Sequence, residues 1–142
     1  MGVQQLLLIV LSIIIIGVAI TIGLHLFVGR TYRSNEQALG AEIQEYATRA
    51  IQWYKTPESI GGAGQKAANV TVNSLASFLG FIGPSQSTTS DNGRIRLTEV
   101  TGEVAQFEGI GVELKNGKHP CINTSIDLST GNIIAVVSSV PE

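Results

Sequence analysis

From Val3 to Val28 the chain carries no Asp, Glu, Lys or Arg, and most of its side chains are Leu, Ile or Val. No other feature constrains the fold as much. A secretory signal has an apolar core of roughly 7 to 15 residues behind a basic start, and this stretch is longer and lacks the basic start. An α-helix needs about 20 mainly apolar residues to cross a hydrocarbon layer ~30 Å thick, at ~1.5 Å per residue. The segment is therefore expected to be retained and to span a bilayer.

The apolar period continues past the polar ring Gly29-Arg30-Thr31-Tyr32-Arg33. Leu39, Ile43, Ala47, Ala50 and Tyr54 recur at spacings of four and three, with Tyr46 and Trp53 beside them, and Glu42, Gln44, Glu45, Arg49 and Gln52 are read as facing away. Pro57 disfavours helix at Thr56, so the helix is expected to end near Lys55. With no proline or glycine pair before that point, the two stretches form one rod, apolar all round in residues 1–29 and amphipathic in residues 30–56.

Residues 57–93 read as a connecting region. It contains a short helix over 72–82, stopped by Gly83 and Pro84, and an exposed polar loop over the Ser/Thr run that follows. Residues 94–142 read as a four-stranded antiparallel meander, with Thr101-Gly102, Asn116-Gly117 and Ser129-Thr130-Gly131 as its turns. Ile122, Thr124, Ile126 and Leu128 alternate with Asn123, Ser125 and Asp127, which gives the sheet one inward face. The natural cover for that face is the apolar stripe of the long helix. The expected class is α+β, one long N-terminal helix packed on a C-terminal antiparallel sheet.

The chain has 142 residues and a formal net charge of −2, enough for one small domain plus one greasy segment. No clustered basic surface points to nucleic acid. Cys121 is the sole cysteine, so no disulfide forms within the chain. His119 and Cys121 flank Pro120, but zinc takes a full tetrahedral set and no further Cys or nearby His completes one, so neither a metal nor a cofactor is expected. The scattered carboxylates form no catalytic constellation, and the expected class is not an enzyme. His25 is an ionisable group within the apolar segment, read as a neutral side chain bonded to a neighbouring helix. Asn69 and Asn123 stand in Asn-X-Ser/Thr tripeptides, and Ser87, Thr88 and Thr89 lie in the hydroxyl-rich loop; these are the candidate sugar acceptors.

A helix of this two-part polarity followed by an antiparallel sheet, with "QLLLIVLSIIIIG" from Gln5 to Gly17, resembles the type IV pilins and the related pseudopilins. In that family a glutamate fifth in the mature chain, ahead of a Leu/Ile/Val run, is thought to meet a neighbour's N-terminal amine. This chain has Gln5 there if Met1 is the mature start, and Leu7 if cleavage after Gly2 makes Val3 the start. An amide still hydrogen-bonds an amine but supplies no charge pair. The resemblance implies methylation of that amine at Met1 or Val3, a prepilin peptidase, an inner-membrane assembly machine and a helical homopolymer at the cell surface. The proline that interrupts the helix in many members is absent, so local melting in a filament is expected between Gly17 and Gly23. Residues expected in assembly are Met1, Gln4, Gln5, Leu6, Leu7, Ser12, Gly17, Gly23 and His25. Small side chains among them let helices approach closely.

The function expected from this resemblance is that of a major pilin, held in the membrane before assembly and extracellular afterwards. The alternatives are a pseudopilin or minor pilin and, from another class, a single-pass membrane-anchored binding domain. Arg30 and Arg33 lie on the side taken as external, against the usual excess of basic residues inside, and a removed basic leader resolves that conflict.

Overall fold

The computed structural model describes residues 2–142. Helix α1 runs unbroken from Gly2 to Lys55, 54 residues or about 80 Å. Two single turns of 3-10 helix, Glu58–Ile60 and Ala67–Asn69, lead to helix α2, Val72–Leu79. The strands are β1 Ser87–Ser90, β2 Gly93–Thr101, β3 Val104–Gly111, β4 Lys118–Asp127 and β5 Ile133–Pro141. They form one antiparallel sheet in sequence order, so every strand pairs with its neighbours in the chain.

The helix-on-sheet class is as expected, but the sheet has five strands instead of four. The extra strand, β1, lies in the Ser/Thr stretch read from sequence as an exposed loop. It folds back on Gly93–Arg96 across Asp91-Asn92, a two-residue hairpin turn, and Thr88 and Thr89 are β-branched residues suited to a strand. Helix α2 also stops earlier than expected. Gly80 takes a left-handed conformation (φ +77°), and Phe81 N donates to Ala76 O at 2.9 Å, which closes the helix four residues ahead of Pro84. At its start, Thr71 and Ser74 satisfy each other's backbone amides in a capping box.

Helix α1 ends where Pro57 requires, and the following loop wraps its last turn. Ala63 N, Gln65 N and Gly64 N donate respectively to the carbonyls of Trp53, Tyr54 and Thr56, at the helix C-terminus where the helical ladder runs out of donors. The Trp53 indole N–H donates to Gly61 O at 3.0 Å. The wrap needs glycine at 62, where a Cβ would lie 2.1 Å from Thr56 O.

The core is the predicted stripe set against the inward face of the sheet. Leu39, Ile43, Ala47, Ala50 and Tyr54 are buried, and so are Ile95, Leu97, Ala105, Phe107, Ile122, Ile126 and Leu128. Phe81 packs edge-on against both Tyr46 and Phe107. Helix α1 lies over β3 and β4, and α2 lies beside it against β2. The close approach of α1 to β3 depends on Gly109, where a Cβ would fall 2.6 Å from Ile43 Cδ1.

Polar contacts fix the helix on the sheet at both ends. Asn35, the first buried residue of α1, donates to Asn92 O at 2.7 Å and accepts from Glu113 N at 3.3 Å. Glu42, read from sequence as facing away, instead accepts from Ser90 Oγ at 2.7 Å and Asn92 Nδ2 at 2.5 Å, so α1 holds the β1–β2 turn. Glu45 and Arg49 do face outward and form an exposed pair one turn apart. At the other end the Tyr54 hydroxyl donates to the Glu103 carboxylate in the β2–β3 turn. That hydrogen bond, with burial second, pushes the phenol up to about 12. Between β4 and β5 the Asp127 carboxylate accepts from the Ser129 hydroxyl and from the amides of Ser129 and Thr130, which holds its pKa below the ordinary carboxylate range and sets the start of β5.

Candidate assembly surface

Nothing within the described residues covers the first half of α1. Side chains from Val3 to Phe27 are exposed all round, and burial begins only at Asn35. This is the one helix long and apolar enough to cross a membrane among the described residues, and its apolar window is wholly unburied. In water such a surface has no stable exposure, so lipid or other protein must cover it.

The polar groups on this surface divide into two kinds. Ser12 Oγ donates to Leu8 O at 2.8 Å and Thr21 Oγ1 to Gly17 O at 2.9 Å, so both hydroxyls are satisfied within the helix and act as small side chains. Among the described residues Gln4, Gln5 and His25 have no side-chain hydrogen bond. Gln5 and His25 stand about 30 Å apart along the axis, one hydrocarbon thickness. Gly17 and Gly23 have nothing within 4 Å of a built Cβ, and the helix passes through both without a break.

Helical phase sorts these residues onto faces. At about 100° per residue, Gln5, Ser12, Ala19 and Gly23 fall within about 40° of one another. Gly17, Thr21 and His25 lie on the other side of the helix. Carried forward, the Gln5 face points roughly opposite to the stripe Leu39, Ile43, Ala47 and Ala50 that holds the sheet. Small and amide side chains therefore line the side away from the domain, where another helix could approach without meeting a sheet. Leu6 and Leu7, turned about 100° and 200° from Gln5, lie off that face, Leu7 on the His25 side, and Met1 lies outside the described residues.

The other sequence candidates are dispersed. Asn69 is engaged through Nδ2 with Ala63 O at 3.0 Å, whereas Asn123 is exposed in mid-strand on the outer face of β4. Ser87, Thr88 and Thr89 belong to β1. His119 and Cys121 share the outer parity of β4, but Cys121 is buried, and burial pushes its thiol up. No group of three or more His, Cys, Asp or Glu side chains is placed to hold a metal among the described residues.

No protein-family model, no curated protein and no solved structure matches the chain. What the structure defines is a small domain of one antiparallel sheet, carried on the second half of a helix whose first half is apolar and bare.

Proposed function

We propose that this chain is the major structural subunit of an extracellular filament of the type IV pilus kind. In this reading the first half of α1 passes from the membrane into a core of like helices, and the sheets form the outer wall. One observation carries the reading: α1 runs without interruption from a bare apolar half into the core of the domain, so the domain cannot turn independently of the membrane-length segment. A domain that only needs anchoring works equally well on a loose tether. A subunit that must hold its outer surface at a fixed angle to its neighbours needs the rod. The phase of Gln5, Ser12, Ala19 and Gly23, away from the sheet, supports the same reading.

Lipid tails are about as apolar as leucine, so transfer from bilayer to filament gains little hydrophobic free energy. Association must rest on close packing and on pairing of the Gln4 and Gln5 amides, and extraction from the membrane needs an energy-driven machine. The partners in this proposal are therefore copies of the chain, an inner-membrane assembly apparatus and a prepilin peptidase, with a methyl group on the mature amine. Electron microscopy of surface fractions sheared from cells tests it. The expected result is fibres whose mass is dominated by this subunit. Recovery of the chain only as a membrane-bound monomer overturns the proposal in favour of the single-pass anchor.

A further inference from the structure

Strand β5 is an edge strand without the usual protections. It is nine residues long, pairs with β4 without a register break, and carries no charged side chain. Ile134, Val136 and Val137 are 58%, 59% and 54% exposed, so apolar side chains stand bare on both faces. The reason is geometric: α1 covers β3 and β4, α2 covers β2, and the helical layer ends before it reaches β5. Asp127 N donates to Asn132 O and Glu142 N to Gly117 O, so the even-numbered positions of β5 bond β4. The peptide groups of Ile133, Ala135, Val137 and Ser139 then face the open edge.

The opposite flank of the domain has matching chemistry. From Ala67 to Ser90 there is no Asp, Glu, Lys, Arg or His, and the same holds from Leu128 to Pro141. These two uncharged segments hold the two ends of the sheet, β1 with α2 at one side and β5 at the other. The strands between them carry Arg94, Arg96 and Glu108 on the outer face, where Arg96 pairs with Glu108. On the α2 flank Phe78 is half exposed and Ile82 is 81% exposed. Ile82 is bridged to Ser87, and the pairings Ser87–Arg96, Arg96–Glu108, Glu108–Asn123 and Asn123–Val136 put it on the same cross-sheet row as the middle of β5. The cores of protein interfaces are depleted of charge, and here two bare, charge-free surfaces lie back to back on one domain.

We propose that the β5 flank of one copy docks on the α2–β1 flank of the next, an inference that rests on the filament reading above. Two different patches meet in this contact, so it is heterologous and propagates without closing, as a helical polymer requires. A self-complementary β5–β5 contact would close into a dimer. On the α2 flank Ile82 shares the outer-face row of Val136, so it meets the outward residues Ile134 and Val136 of the neighbour, while Phe78, on α2 in the helical layer, covers the inward residues Ile133 and Val137.

The test is disulfide trapping in fibres of the full chain carrying Cys121→Ser. Ile82→Cys is combined in turn with Ile134→Cys, Val136→Cys and Ser138→Cys, the outward positions of β5, which allows for an axial offset between copies. At least one pair is expected to give a ladder of linked multimers under oxidation, while each single-cysteine variant stays monomeric in denaturing gels. Fibres that form normally but yield no ladder with any pair overturn this contact and leave the filament reading standing. Dimers from Val136→Cys alone overturn it in favour of the closed β5–β5 arrangement. Failure of the unmodified chain to form fibres overturns both. Val137→Lys supplies a second measurement, because that side chain is exposed and its replacement leaves the folded core untouched. Fibre yield is expected to fall about tenfold or more, as for an unpaired charge entering a dry contact, and an unchanged yield overturns the contact.

Discussion

The Glu42 carboxylate accepts a hydrogen bond from the Asn92 side-chain amide at 2.5 Å, across 50 residues of chain. It also accepts from Ser90 Oγ, so one acidic side chain on α1 satisfies two groups of the β1–β2 turn. Glu42→Ala leaves both donors without their acceptor in a partly buried place. The expected cost is about 2 kcal/mol, since hydrogen bonds to a charged group each contribute roughly 1.5–3 kcal/mol but the turn can still draw on water. Glu45→Ala, three residues on, breaks only the exposed pair with Arg49 and is expected to cost under about 0.5 kcal/mol. Denaturant unfolding of the detergent-solubilised chain measures both, and equal effects would show that Glu42 is a surface residue after all.

Gly109 predicts a different kind of failure. A Cβ there would sit 2.6 Å from Ile43 Cδ1 and 3.2 Å from Leu39 Cδ2, closer than side chains pack. Gly109→Ala should destabilise the domain by roughly 1–3 kcal/mol through overpacking. Ile43→Val removes the clashing methyl, so in the Gly109→Ala background it should recover part of the loss, whereas alone it costs roughly 0.5–1.5 kcal/mol. A double-mutant cycle reads the coupling, and strict additivity would place the strain elsewhere.

Much of this arrangement was legible in the sequence, and the parts that were not have physical causes. The α1 stripe, its end before Pro57 and the hairpins at Gly102 and Asn116-Gly117 follow from period and turn chemistry, which are local. Strand β1 was hidden because Ser and Thr serve loops and edge strands alike, and because what holds it, Glu42 and Asn35, comes from a distant helix. Glu42 itself reads as solvent-facing because a carboxylate is normally exposed unless partnered, and its partners lie 48 and 50 residues away. The bareness of β5 was equally illegible. Its apolar residues suggest burial, and only the width of the sheet relative to the helical layer leaves them exposed. For the assembly surface the apolar run was plain, but the phase relation between the Gln5 face and the sheet emerges only once α1 is one continuous helix.

Tyr54 gives a prediction in pH. Its hydrogen bond to the Glu103 carboxylate raises the phenol from 10.0 to about 12. A group whose folded value is raised contributes stability that is fully present below the unfolded value and is lost as pH climbs through the folded one. The contribution of Tyr54 is therefore intact below pH 10.0 and disappears towards about pH 12. Unfolding midpoints of the native chain should fall across that window more steeply than those of Tyr54→Phe. Tyrosinate absorbance should also show one phenol titrating late in the native chain and absent from the variant. Parallel midpoint curves for the two proteins would mean that the Glu103 contact does not persist in solution.

The final prediction concerns Gln5 and depends on the filament proposal. Gln5 lies on the same helical face as Ser12, Ala19 and Gly23, opposite the sheet, and has no side-chain partner among the described residues. If that face packs against other helices, the amide meets a neighbour's N-terminal amine or amide in a dry core, where losing the pair costs roughly 1–3 kcal/mol. Gln5→Leu should insert in membranes as the native chain does, because it makes the segment more apolar, yet yield fewer and less heat-stable fibres. Gln4 is turned about 100° away along the helix, and Gln4→Leu should have the smaller effect. Fibre yield and melting, compared at matched membrane levels, measure both variants. Normal fibres from Gln5→Leu would show that packing alone drives assembly and that the amide has no share in it.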